Sequence, residues 1–313
     1  MTRALVFPGQ GSQSVGMGKA LYDGFASAKA VFDEVDEALG EKLSSIIFDG
    51  PEDQLTLTHN TQPALMAVSM AAFRVMEEKG FDLKSGASFV AGHSLGEYSA
   101  LAASGAFSIT VAAKLLRTRG LAMQKAVPVG VGAMAALLGL DWDQAKEVCD
   151  KAASGDEICS PANDNAPGQV VVSGTKQAVE RAGEIAKEMG AKRAVMLPVS
   201  APFHCSLMAD AADAMKDALQ EAEIKSPIIP LIANVTAAPV SDVDEIRDLL
   251  VRQVTGTVRW RESVLAMKEF GVSQLVEVGA GKVLSGLVRR IDAELSGISL
   301  GGPEDIDQFI AGL

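Results

Sequence analysis

The chain has 313 residues, enough for one large domain or a domain with a smaller companion. Hydrophobic residues are 48% and charged residues 22% of it, so it can bury a core without staples and lacks the low-hydrophobicity signature of disorder. Lys+Arg 28 against Asp+Glu 40 gives a formal charge of −12, which disfavours a nucleic-acid or anionic membrane surface and leaves any anionic ligand to a local site.

The first predicted element is the apolar run Ala4–Phe7, closed by Pro8-Gly9; it reads as a buried strand feeding a loop and is too short for a secretory signal core. Apolar residues at three- and four-residue steps then predict helices over Lys19–Leu39 and Gln62–Lys79. Phe89-Val90-Ala91 is a second buried strand, followed by helices over Leu95–Ala103 and Ile109–Ala126. The Gly-rich uncharged stretch Ala126 to Leu140 falls short of the ~18 residues that would suggest a membrane span.

From Pro128 to Val199 the rhythm changes. Strand-like runs (Met134–Leu140, Gln169–Val172, Ala194–Val199) alternate with charged helices (Asp143–Ala153, Lys176–Met189), which marks an inserted β/α subdomain over 128–199 within a core of 1–127 and 200–313. A strand at Leu275–Val278 and a helix at Lys282–Ile291 return to the earlier pattern, and strands alternating with helices predict an α/β fold with a parallel sheet. Cys149, Cys159 and Cys205 are an odd set without CxxC spacing, as expected of reduced thiols in a cytoplasm and not of a disulfide framework or a metal site. The expectation is a soluble, cytoplasmic protein without metal.

Two segments match GxSxG, the turn that presents a serine nucleophile between a strand and a helix. Gly92-His93-Ser94-Leu95-Gly96 follows a predicted strand and opens a predicted helix. Gly297-Ile298-Ser299-Leu300-Gly301 runs into Gly302-Pro303, which cannot continue a helix. Ser94 is therefore the candidate, placed beside helix N-terminal N–H groups that favour a tetrahedral oxyanion; a plain tight turn is the bland alternative. Its base must be one of three histidines. His93 is adjacent on the strand and should point to the opposite face, and His59 falls in a predicted loop. His204 lies where an extended segment turns into a helix from Ser206 onward, a position suited to a cleft.

Together these residues resemble the malonyl-CoA:acyl carrier protein transacylase family, the acyltransferases of fatty acid synthesis, which are shared in modular form with polyketide synthases. The resemblance spans essentially the whole chain. It rests on Phe7-Pro8-Gly9-Gln10-Gly11-Ser12-Gln13, Gly92-His93-Ser94-Leu95-Gly96-Glu97-Tyr98, Arg119-Gly120 with Met123-Gln124, and Pro167-Gly168-Gln169-Val170-Val171. Pro202-Phe203-His204, Arg252-Gln253-Val254 and Glu277-Val278-Gly279-Ala280-Gly281-Lys282-Val283-Leu284 complete it. Ala280 departs from the family, which commonly has proline there.

The resemblance implies a hydrolase-like α/β core with an inserted ferredoxin-like α+β subdomain. It also implies ping-pong transfer of malonyl from malonyl-CoA, through a serine ester, to the phosphopantetheine thiol of acyl carrier protein, with no permanently bound cofactor. By the same resemblance Ser94 is the nucleophile and His204 the base, oriented by main-chain carbonyls, one of them at Gln253. The Gln10 and Leu95 N–H groups form the oxyanion hole, and Arg119 clamps the substrate carboxylate. Arg117 is the competing arginine, about 200° away around the same helix, and a solvated face is the ordinary fate of either. Phe203 resembles the malonyl-type motif, its ring crowding a branched acyl carbon.

A phosphate cradle at the Gln10 loop is excluded because neither GxGxxG nor GxxxxGK[ST] fits residues 9 to 20. A serine esterase or thioesterase would share the elbow but calls for an HGGG-type loop, absent here. A polyketide-type acyltransferase and an idle carrier-binding module are further alternatives. Acyl carrier proteins are generally acidic, so a local basic patch is expected, with Lys282, Arg289 and Arg290 as candidates.

Overall fold

The computed structural model describes residues 2–128, 130–199 and 201–313. Val129 and Ser200, at the edges of the expected insert, lie outside the described residues, as does Met1. The strands are β1 Arg3–Phe7, β2 Phe89–Gly92, β3 Gly132–Leu138, β4 Cys159–Ala166, β5 Gln169–Thr175, β6 Arg193–Met196, β7 Leu231–Ile232, β8 Pro239–Val240, β9 Gln274–Val278 and β10 Ser296–Leu300.

Six of them form one sheet in the order β10-β9-β1-β2-β7-β8, parallel except for the β7–β8 pair. Strands β1, β2 and β9 are almost wholly buried, as expected when helices cover both faces of a parallel sheet. Placing β1 centrally puts its C-terminal Phe7 beside Gly92, with Val6 beside Ala91. The loops after β1 and β2 therefore emerge side by side, and these carry Gln10 and Ser94.

The other four strands form an antiparallel sheet, β4-β5-β3-β6. With the helices Trp142–Ala152 and Lys176–Glu188 between them, this is a β-α-β-β-α-β unit, the ferredoxin-like arrangement, with its own apolar cluster of Leu137, Val148, Val172 and Val179 among others.

Several elements differ from expectation. The stretch 19–39 is two helices, Lys19–Gly24 and Ala26–Leu39, because Phe25 takes an extended conformation (φ −137°, ψ 127°). The helix expected from Gln62 begins earlier, at Thr58, so His59 lies in a first helical turn and not in a loop. Strand β4 was not legible: its sequence, Cys-Ser-Pro-Ala-Asn-Asp-Asn-Ala, is polar, and register shifts at Pro161/Asn163 and Asp164/Ala166 erase the two-residue alternation. Ser299 sits inside β10, and a helix does follow it, with Pro303 at its first positions, where a missing N–H costs nothing.

Candidate active site

Strand β2 ends at Gly92, and the helix Gly96–Ala103 starts four residues later. So tight a reversal needs backbone to pass backbone. A Cβ on Gly92 would lie 1.9 Å from the Gly96 carbonyl carbon, and one on Gly96 would lie 2.3 Å from the Phe7 carbonyl oxygen. Between them Ser94 has φ 53°, a region that L residues with a side chain rarely occupy and that is associated with functional turns. The turn is held from outside the elbow by Asn234: its Oδ1 accepts from the Ser94 N–H at 2.8 Å, and its Nδ2 donates to the Gly92 carbonyl at 2.7 Å.

His204 also has a positive φ, 61°. Its Nδ1 lies 2.9 Å from the Gln253 carbonyl oxygen and 3.1 Å from that of Gly256. Two acceptors at Nδ1 assign the proton to that nitrogen, so Nε2 is the acceptor, 2.8 Å from Ser94 Oγ. Burial is the main cause of an imidazole pKa lowered from 6.5 to about 3; the Arg119 charge adds to it, and the two carbonyls oppose it. The ring is therefore neutral and able to accept a proton at any pH near neutrality.

Arg119, on the helix Ile109–Ala126, is 2% exposed. Its Nη1–H donates to Gln62 Oε1 at 2.7 Å, while Nη2–H donates to Gln253 Oε1 at 2.8 Å and to Ser94 Oγ at 3.1 Å. The next residue makes this depth possible: a Cβ on Gly120 would lie 2.4 Å from His59 Cα, so only glycine lets this helix press against the start of Thr58–Glu78. Arg117 faces elsewhere, bonded to Asn60 at 2.7 Å and paired with Glu41.

These groups open on a cleft of about 820 Å³ between the two sheets, lined by Gln10, Ser94, Leu95 and His204 from the core and by Met134 and Leu197 from the insert. Neither the Gln10 nor the Leu95 N–H donates to another described residue. Phe203 lines the cleft beside His204. His93 borders the cleft as well, but its ring makes no hydrogen bond to Ser94 and packs instead on Trp260, with centroids 5.9 Å apart, in the cluster on the Ala4, Val6 and Ala91 face of the sheet. His93 Nε2 is engaged by Asn165 Oδ1 at 2.8 Å.

Two neighbours of the site, Gln62 and Asn234, belong to no motif singled out above. A third, Glu97, stands inside the elbow motif without an assigned role, and it is buried with its Oε1 accepting from the Asn234 N–H at 2.7 Å and its Oε2 from Gln253 Nε2. Burial pushes its carboxyl up to about 8 while those two N–H donors and Arg119 pull it back. N–H donors on both oxygens favour the carboxylate form against that burial, since the carboxylate is acceptor-only.

Lys282, Arg289 and Arg290 are exposed, with Arg290 reaching Gln169 of the insert at 2.6 Å. Among the described residues, no three His, Cys, Asp or Glu side chains are grouped as a metal would need, and no helix is long and apolar enough to cross a membrane. All three cysteines are buried free thiols.

Residues 4–294 match the acyl transferase domain family. The chain is 47% identical over 307 residues to the malonyl CoA-acyl carrier protein transacylase of Bacillus subtilis, covering 98% of this chain and 96% of that one. It is 45% identical over 300 residues to the protein of that name from Escherichia coli K12, covering 96% of each. Among solved structures, the acyl-carrier-protein-S-malonyltransferase of Bartonella henselae superposes with a TM-score of 0.97 at 56% identity, over 100% of this chain and 99% of that one. A malonyl-transacylase solved in complex with its type II PKS acyl-carrier protein superposes with a TM-score of 0.97 at 43% identity, over 100% of both chains.

Proposed function

We propose, for a chain that belongs to the acyl transferase domain family and to its malonyl CoA-acyl carrier protein transacylases, that Ser94 carries malonyl as an ester between coenzyme A and the phosphopantetheine thiol of acyl carrier protein. One observation carries the reading: Ser94 Oγ donates to His204 Nε2 while it accepts from Arg119. A single oxygen is thus joined to a proton acceptor and to a cation that suits a carboxylate.

In the first half-reaction Ser94 Oγ attacks the thioester carbonyl as His204 Nε2 takes its proton, a general-base step. The Gln10 and Leu95 N–H groups receive the oxyanion. Collapse expels the coenzyme A thiolate, which takes the proton back from His204. In the second half-reaction the carrier thiol gives its proton to His204 and attacks the ester carbonyl, and Ser94 Oγ leaves, taking that proton back from His204. The two main-chain carbonyls at His204 Nδ1 hold the tautomer that an acidic third residue would otherwise fix.

Arg119 takes the free carboxylate of malonyl, exchanging its Nη2–H from Ser94 Oγ to the substrate. That exchange frees the nucleophile, and the incoming negative charge offsets the field that depresses His204. Phe203 crowds a branched acyl carbon. The exposed cations Lys282, Arg289 and Arg290 are offered to the acidic carrier, against the repulsion of a net charge of −12. Residues 128–199 form the inserted unit on a core of 1–127 and 200–313. The chain works in the cytoplasm with the coenzyme A thioester as substrate and no resident cofactor.

Mass spectrometry after mixing with malonyl-CoA tests this reading. The expected result is one malonyl adduct, on Ser94, discharged by holo-acyl carrier protein and absent from Ser94→Ala. An adduct on Ser299, or release of free malonate independent of carrier, would overturn it.

A further inference from the structure

The hydrogen bonds around Arg119 have a direction. A guanidinium has five N–H donors and no acceptor, so each group that touches it must turn an acceptor toward it. Gln253 turns its Oε1. Its Nε2 must then face the other way, where it donates to the Ser94 carbonyl at 2.8 Å and to Glu97 Oε2. The remaining Glu97 oxygen is met by the Asn234 N–H. Asn234 is also the residue that ties the Ser94 N–H to the Gly92 carbonyl.

Gln253 has a second task on its main chain, since its carbonyl accepts from His204 Nδ1. One residue thus aims the clamp with its side chain and the base with its backbone. Two acceptors fix that side chain, the Ser94 carbonyl and Glu97, the latter on the first turn of the helix Gly96–Ala103 and 2% exposed.

We infer that Glu97 is a positioning residue for clamp and base together: its acceptor-only carboxylate holds the Gln253 amide in the one orientation that presents Oε1 to Arg119 and leaves the Gln253 carbonyl on His204. Its carboxyl also stands one amide away from the buried cation, with Gln253 bridging the two. A glutamine of the same shape cannot substitute. Its amide has one oxygen and one NH₂, so one of the two N–H groups now received by Glu97 would face another donor. Asparagine fails for the same reason, whereas aspartate keeps the acceptor pair at a shorter reach.

The inference rests on the acyl-transfer reading, and kcat/KM for malonyl-CoA and for acetyl-CoA, measured on purified wild type, Glu97→Gln and Glu97→Asp, separates the two. In Glu97→Gln the Gln253 amide loses one of its two anchors, the Ser94 carbonyl remaining, and Arg119 loses its aim, so the malonyl-to-acetyl ratio should fall tenfold or more, with Glu97→Asp retaining more of it than Glu97→Gln. A wild-type ratio in Glu97→Gln, or equal losses for both substrates, would overturn the inference, since a residue that only supported the elbow would affect both acyl groups alike. Should Glu97→Gln not fold, Glu97→Asp decides: it keeps both acceptors at a shorter reach, so it should fold and lower the malonyl-to-acetyl ratio, and an unchanged ratio or equal losses for both substrates would overturn the inference. A wild-type chain that forms no malonyl ester would sink the acyl-transfer reading, whereas a wild type that discriminates beside an unaffected Glu97→Gln would sink this inference alone.

Discussion

Arg119→Ala separates a carboxylate clamp from a structural arginine. The side chain is 2% exposed, and two of its N–H groups are already spent on the Gln62 and Gln253 amide oxygens, leaving the N–H on Ser94 Oγ as the one turned toward the reacting centre. Truncation strands the malonyl carboxylate where it has shed water, at a cost of ~2–5 kcal/mol for a charged partner left alone. Water can enter the space that alanine vacates, so the lower end is the working floor: ~2 kcal/mol, or roughly 30-fold at 1.36 kcal/mol per factor of ten. The two orphaned amide oxygens weaken the site for every substrate and cancel in a ratio. The assay is therefore kcat/KM for malonyl-CoA divided by that for acetyl-CoA, which should drop at least 30-fold, with Arg119→Lys recovering only part because a point charge lacks the planar fork. Equal losses for both thioesters would refute the clamp, and a matching collapse in Arg117→Ala would show that the wrong arginine was chosen.

His204→Ala should slow formation of the acyl-enzyme by on the order of 10²–10⁴ with the fold intact, measured by rapid-quench single turnover; a wild-type rate would remove His204 from the mechanism. Because burial and Arg119 hold the imidazole down to about 3, the neutral base persists as pH falls through the usual histidine range, so the acid limb of kcat/KM assignable to His204 should lie well below 6.5 and move upward in Arg119→Ala. Gly120→Ala places a Cβ 2.4 Å from His59 Cα, against backbone that cannot swing aside; it should destabilise by ~1–3 kcal/mol in thermal or urea unfolding and lower the malonyl-to-acetyl ratio by moving the neighbouring Arg119, and an unchanged melt would refute the close helix approach.

The parts of this site that sequence made legible are those where chemistry forces a residue type locally. Gly92 and Gly96 are forced by backbone crossing backbone, and Gly120 by one helix pressing on another, so glycines mark the elbow in the sequence and belong to the Arg119-Gly120 match through which the family resemblance picks out the arginine. Arg117 and Arg119 point apart, as the helical period requires. Strand β4 was lost because its bulges break the two-residue period and its Asn163, Asp164 and Asn165 are polar. Gln62, Asn234 and the role of Glu97, a residue inside the elbow motif, were lost for a different reason. Nothing in their local sequence demands them; they are demanded by a donor-only guanidinium brought up against a serine 25 positions away in the chain. Once Arg119 is buried there, each neighbour that bonds its Nη groups must offer an oxygen, each amide that does so must send its NH₂ outward, and the outward NH₂ groups must end on an acceptor. On the Gln62 side that run of donors passes through Thr58 Oγ1 and ends on Gln10 Oε1 in the loop after β1; on the Gln253 side it ends on Glu97. The polarity of the network is therefore a consequence of one residue's chemistry, but which side chains satisfy it is decided by how three separated segments of chain meet, and no window of sequence contains that meeting.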